Sequence, residues 1–470
     1  MAILALDQGT SATKAVVLDG DRVLGLAEAP VEVRATPDGG VELDPDELWA
    51  SVLAAGRQAL AAAGRPSLDC IGLANQGETV LPWRRDTGEA LGRAVVWQDR
   101  RSVDECDRRA DRAAWLAHLT GLELDPYFVA PKVAWLRPQV PAEATITTTD
   151  TWLLHRLCGA FVTDVATAGR SLLTDLETGA WHADACELFG IDPTTLPSVV
   201  GNAEPLGSTS CFGGDVPVTG ACVDQQAALY AERCHDAGEA KCTYGTGAFL
   251  LASTGGTPTR SSHGMVGCPA WRVDGDTTWC LDGQVYTVGA AVRWLTEIGI
   301  IADAADLDRV GATVADAGGA TFVPALAGLA APFWKPSAKA AFTGLSLGTE
   351  RGHLVRAAVD GIAAQVALLA AAAGSDLGAP LHRLRVDGGL TRSELVLQTQ
   401  ADLLQAPVEV YPSPHATAIG VAAFAARGAG LDTDPSAWRP ARVVEPRIGA
   451  DEAASRLDAW QRVAAATMDL

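Results

Sequence analysis

The chain has 470 residues, of which 48 % are hydrophobic and 20 % charged, with a formal net charge of −21. At about 150 residues per domain this is too long for one ordinary core, and because α/β units often run larger, two domains are expected. The acidic balance argues against nucleic acid and acidic membrane surfaces as partners, so any anionic ligand has to be held by local positive features such as a lysine, an arginine, Mg²⁺ or a helix N-terminus.

The chain opens with an apolar strand that runs into Asp7-Gln8-Gly9-Thr10, turns, and leaves as a second apolar strand through Ala15–Asp19. Gly9 permits a tight turn and close approach to a ligand. Thr10, Ser11 and Thr13 supply hydroxyls, Lys14 a positive charge, and Asp7 a hard oxygen of the kind Mg²⁺ prefers. Read by itself, the segment is equally a β-hairpin with a polar turn. A third strand is expected near Arg22–Glu28. A helix then begins at Asp44, which can cap it. Pro45 suits its first turn, Glu47 can close a capping box, and Gly64 ends it. Cys70–Ala74 reads as a buried strand, Asp150–Leu157 as a short helix, Val216–Val223 as a strand, and Asp224–Arg233 as a helix.

The stretch His235-Asp236-Ala237-Gly238 marks the expected boundary between domains 1–236 and 237–470. Beyond it, Thr243-Tyr244-Gly245-Thr246-Gly247 repeats the Gly-Thr turn between apolar strands, so two related halves would grip one phosphate chain. A long alanine-rich helix is expected at His353–Ala373. A strand at Arg383–Gly389, a helix at Arg392–Leu404 and a small-residue helix from Thr417 follow. Alternation of strand and helix argues for an α/β fold.

The ten cysteines include no C-x-x-C pair, and several lie in apolar runs. They read as reduced thiols of a cytoplasmic protein. There is no basic leader, and no apolar stretch reaches the length of a membrane span.

Nine segments, taken together and in order, identify a resemblance to the FGGY family of carbohydrate kinases, on the two-lobed actin/hexokinase/Hsp70-like ATPase fold with ribonuclease H-like duplicated domains. They are Leu6–Thr10, Ala74–Thr79, Val95–Arg101, Asp125–Phe128, Thr149–Leu153, Asp224–Leu229, Thr243–Gly247, Gly328–Trp334 and Val386–Gly389. The resemblance implies transfer of the γ-phosphate of ATP to a hydroxyl of glycerol or a closely related small polyol. Alternatives are a tetritol, pentitol or ketopentose acceptor, or a catalytically silent sugar-binding relative. An actin- or chaperone-like ATPase would share the hairpins but would not account for Glu78, Trp97 and Tyr127.

Such transfer needs alignment, charge neutralisation and a base. By resemblance, Asp224 is the base, and no unusual titration is expected of it. Read alone, it is equally a helix N-cap. Asp7 and Asp224 would hold Mg²⁺. Thr10, Ser11, Ala12 and Lys14 would receive the ATP phosphates from one lobe, and Thr246 and Gly247 from the other. Gly289, Arg293, Gly389 and Ser393 match positions near the ribose and adenine, although Arg293 and Ser393 depart from the family's usual glutamine and asparagine. Glu78, Trp97, Tyr127, Asp224, Gln225 and Phe249 match the substrate pocket. Gly77 does not, because the family's glycerol-specific members carry arginine there. Its loss removes a charged fork and opens space, which leaves weak glycerol use, another side chain reaching in, or a longer substrate. The short loop Cys211–Pro217 lacks the cation of a sugar-bisphosphate site, so inhibition by fructose bisphosphate is not expected. The family's habit implies a homodimer or homotetramer, with no interface signature in the sequence.

Overall fold

The computed structural model describes residues 1–468. Two mixed sheets organise it. The first has six strands in the order Gly207–Thr209, Val216–Val223, Cys70–Asn75, Ile3–Gln8, Ala12–Asp19, Arg22–Pro30. Its three central strands run parallel, with Ala5 beside Gly72 and Leu73 beside Ala221. The second has seven strands, with Ala240–Tyr244 at its centre between Ala248–Gly255 and Leu384–Gly388. Parallel strands covered on both faces read as continuous apolar runs, which is why Cys70–Asn75 is buried at every position.

The expected elements are present with small boundary shifts. The third strand extends to Pro30. The first long helix is Pro45–Ala62, and Asp44 caps it by accepting from the amides of Asp46 and Glu47. The reciprocal half of the expected capping box is not made. Glu47 turns instead toward Arg34, 3.6 Å away. The alanine-rich helix runs from Arg351 to Leu377. Among the described residues it is the helix long and apolar enough to cross a membrane, but most of its apolar face is buried in the C-terminal core.

The two halves are joined by more than their linker. The Ala416–Gly428 helix, late in the chain, packs on the first sheet and on the Asp224–Ala231 helix. Its small residues allow this: a Cβ at Gly420 would stand 1.8 Å from the Ala227 carbonyl oxygen, and one at Gly72 would stand 2.5 Å from that of Val421. All ten cysteines are free thiols.

Candidate active site in the interlobe cleft

Three adjacent parallel strands end side by side, and the chain places chemistry at each end. Ile3–Gln8 ends on Asp7 and Gln8, Cys70–Asn75 leads into Gln76-Gly77-Glu78, and Val216–Val223 leads into Asp224. Carboxyl ends of neighbouring parallel strands are where open α/β sheets build their binding crevices. The second sheet presents its own strand ends opposite, with Tyr244 before the Gly245–Gly247 turn and Asp387 before Gly388 and Gly389. Between them lies a cavity of about 420 Å³ lined by Thr10, Ser11, Gln76, Gly77, Glu78, Trp97, Tyr127, Asp224, Gln225, Thr246, Gly247, Phe249 and Arg293. Val33 and Gln98, which the sequence did not single out, line it too.

Each glycine turn is closed by a backbone hydrogen bond from its first glycine, to the third residue on in one and the second residue on in the other. Gly9 N–H donates to the Ala12 carbonyl at 3.0 Å, and Gly245 N–H donates to that of Gly247 at 2.9 Å. Asp7 and Lys14 face each other directly across the first hairpin. Burial pushes the Asp7 carboxyl up to about 6; Lys14 pulls it down, and Asp387 adds to the rise. Asp224 is pushed up to about 7, first by burial and then by the nearby charges of Asp7 and Glu78, against the pull of Lys241. The expectation of an ordinary titration at Asp224 is therefore not met, because three carboxyl groups share a poorly hydrated space.

Asp7, Asp224 and Asp387 fit a divalent cation chemically. They supply hard oxygens in mutual repulsion, and Asp387 Oδ1 is buried without a partner. No group of three or more His, Cys, Asp or Glu among the described residues is close enough to hold an ion by itself.

The acceptor end is built from rings and fixed polar groups. The Trp97 ring meets Tyr127 edge-on at 5.7 Å and Phe249 at 6.2 Å between centroids. Its indole N–H donates to Thr10 Oγ1 at 2.9 Å, which ties the ring to the phosphate turn. Lys132 is buried and donates to the carbonyls of Pro126, Tyr127 and Phe128, fixing the loop that carries Tyr127. Glu78 sits in the left-handed region at φ 56°, a strained conformation for a side-chain-bearing residue.

Arg170 answers part of the question left by Gly77. It reaches in from the turn after the Val165–Ala168 helix, where its Nε donates to Glu78 Oε1 at 2.5 Å and its Nη1 to Asp282 of the second sheet. A cation therefore does neutralise Glu78. It does not refill the space at Gly77, where a Cβ would meet Val223 Cγ2 at 3.0 Å. Sequence reasoning missed Arg170 and Asp282, whose partners lie far along the chain, and Lys241, whose partner Gln225 stands across the lobe boundary.

The nucleotide positions divide. Thr10, Ser11, Thr246, Gly247 and Arg293 line the cavity together, while Ala12 accepts the turn hydrogen bond. Gly289 packs on the second turn: its amide donates to the Gly245 carbonyl at 3.0 Å, and a Cβ would stand 2.5 Å from that oxygen. Gly389 is exposed with open space above it. Ser393 is buried and engaged as a helix cap, accepting from Val396 N–H and donating to Asp308 Oδ1 at 2.5 Å. That leaves its hydroxyl little to offer a nucleotide.

Comparison with known proteins agrees with this geometry. Residues 2–231 match the N-terminal domain model of the FGGY family of carbohydrate kinases, and residues 240–429 match the C-terminal domain model. A glycerol kinase of Alkalilimnicola ehrlichii is 42 % identical over 480 residues, covering 98 % of this chain and 97 % of its own. One from Thermus brockianus is 40 % identical over 481 residues, with the same coverage. Among solved structures, Plasmodium falciparum glycerol kinase with ADP superposes with a TM-score of 0.92 at 30 % identity, covering 99 % of this chain and 98 % of that one. Xylulose kinase from Rhodospirillum rubrum does so with 0.87 at 25 %, covering 99 % of each. The fold is the two-domain α/β architecture of the actin/hexokinase-like ATPases, and the chain belongs to the FGGY family of carbohydrate kinases.

Proposed function

We propose that the chain transfers the γ-phosphate of ATP to a hydroxyl of glycerol or a closely related small polyol. Its family makes it a phosphotransferase with an alcohol acceptor. The observation that carries the substrate reading is the meeting of Glu78, Trp97, Tyr127, Asp224, Gln225 and Phe249 around one cavity that also holds both glycine turns.

In this reading the rings cover the carbon face of the acceptor. Asp224 accepts the proton of the attacking hydroxyl, for which a carboxylate poised near neutrality is well suited. Amides and hydroxyls of the two turns, with Lys14, receive the phosphates. Asp7 and Asp224 would hold Mg²⁺, which supplies charge neutralisation between the phosphates. Closure of the lobes would exclude water and bring the acceptor oxygen into line.

A second reading, a tetritol, pentitol or ketopentose acceptor, is favoured by Gly77 and by a second cavity of about 240 Å³. That cavity shares Trp97, Gln98 and Tyr127 with the first and is lined further by Arg100 and Tyr286. ADP release over glycerol, dihydroxyacetone, tetritols, pentitols and ketopentoses tests both. The first reading expects the highest kcat/KM on a three-carbon acceptor, and the second on a longer one. No acceptor-dependent release at all would leave the silent sugar-binding relative.

A further inference from the structure

Gln225 is the pocket side chain whose polarity is set most firmly, and a residue of the other lobe sets it. Lys241 lies on the central Ala240–Tyr244 strand of the second sheet and is fully buried. Its Nζ donates to Gln225 Oε1 at 2.6 Å and to Thr243 Oγ1 at 2.8 Å. An ammonium group has three donors and no acceptor. The atom of Gln225 that it touches is therefore the carbonyl oxygen, and the usual ambiguity between the two ends of a side-chain amide does not arise. The amide nitrogen is left on the opposite side, in a residue that lines the cavity, with no hydrogen-bond partner among the described residues.

We propose that Lys241 is a positioning residue of the acceptor site: it turns Gln225 into an obligate hydrogen-bond donor, so the pocket selects a substrate oxygen that offers a lone pair at that point. The inference rests on the reading of the cleft as a polyol-kinase site. It also assigns the contact a geometric role, since donor and amide come from different lobes and align only when the lobes are in register.

The test is steady-state kinetics on the full chain with the best acceptor of the panel, varying acceptor and ATP separately. Lys241→Met keeps the length of the side chain and removes the donors. It is expected to raise the acceptor KM about tenfold, the value of one hydrogen bond, while the ATP KM stays within about twofold. Lys241→Arg, which keeps a donor, should recover part of that loss. Gln225→Glu keeps a partner for Lys241 as an ion pair but presents an acceptor oxygen to the cavity. It should lower acceptor kcat/KM by about thirtyfold or more. A folded Lys241→Met variant with unchanged acceptor KM overturns the inference, as does a Gln225→Glu variant within about threefold of the unaltered chain. If Lys241→Met does not fold, Gln225→Glu decides alone. Failure of the unaltered chain to use any acceptor removes the kinase reading and this inference together, whereas an active chain with indifferent variants removes only the inference.

Discussion

Arg170 and Glu78 are joined by a 2.5 Å hydrogen bond with each side chain only 4 % exposed. The same guanidinium bonds Asp282 on the other lobe, so one cation serves two buried carboxylates. Removing one partner of a buried ionic group leaves uncompensated charge, which typically costs 3–5 kcal/mol. Arg170→Ala should therefore lower unfolding stability by about 3–5 kcal/mol in urea melts, a larger loss than Asp282→Asn, which leaves the Glu78 pair intact. Equal losses from the two variants would contradict the shared-cation arrangement.

Val223 decides what can be done with Gly77. Because a Cβ at position 77 already meets the valine methyl at 3.0 Å, Gly77→Arg alone should not improve glycerol turnover. Combined with Val223→Gly, it should raise glycerol kcat/KM by about tenfold or more, as expected for a regained charged hydrogen bond. Kinetics of the two single variants and the double variant check this. A gain from Gly77→Arg alone would show that the valine gives way.

Asp224→Asn preserves shape and removes the proton acceptor. Loss of a general base costs about 10²–10⁴ in kcat, and nucleotide binding, followed by ATP-analogue titration, should change little by comparison. Substantial turnover in that variant would remove Asp224 from the mechanism.

Glu232 gives a pH dependence of stability. It is fully buried and neither of its oxygens has a partner. Burial holds its pKa well above the ordinary 4.5, and Asp387 adds to the rise, against the pull of Lys241 and Arg385. The thiols of Cys234 and Cys242 and the Tyr411 phenol also face it. The native state thus keeps a proton that the unfolded chain releases above about 4.5, and the stability attached to this group falls as pH rises from there toward the native pKa. Glu232→Gln removes that dependence. The variant should match the unaltered chain near pH 4 and exceed it by about 1 kcal/mol or more at pH 8, since each unit by which burial raises a pKa is worth about 1.4 kcal/mol of proton linkage. Thermal melts across that range check it, and a gain that is flat with pH would contradict the assignment.

Much of the fold was legible because local chemistry enforces it. The Gly9 and Gly245–Gly247 turns, the Asp44 cap, the apolar Cys70–Ala74 run and the small-residue face of Ala416–Gly428 each follow from backbone freedom, capping or side-chain volume within a few residues. The site's own members were legible as an ordered set of motifs, and Glu78, Trp97, Tyr127, Asp224, Gln225 and Phe249 line one cavity. Ser393 illustrates the limit, since only its surroundings make it a helix cap bonded to Asp308 across 85 positions of sequence.

The sequence by itself determined which segments become strands, where they turn and which carboxylates and rings stand at their ends, because these depend on neighbours close along the chain. The tertiary structure alone decided that Arg170 neutralises Glu78 from 92 residues away, that Lys241 donates to Gln225, and that a Val223 methyl stands beside Gly77. Each of these depends on which strand ends and lobes come to lie side by side, and on how little water remains between them.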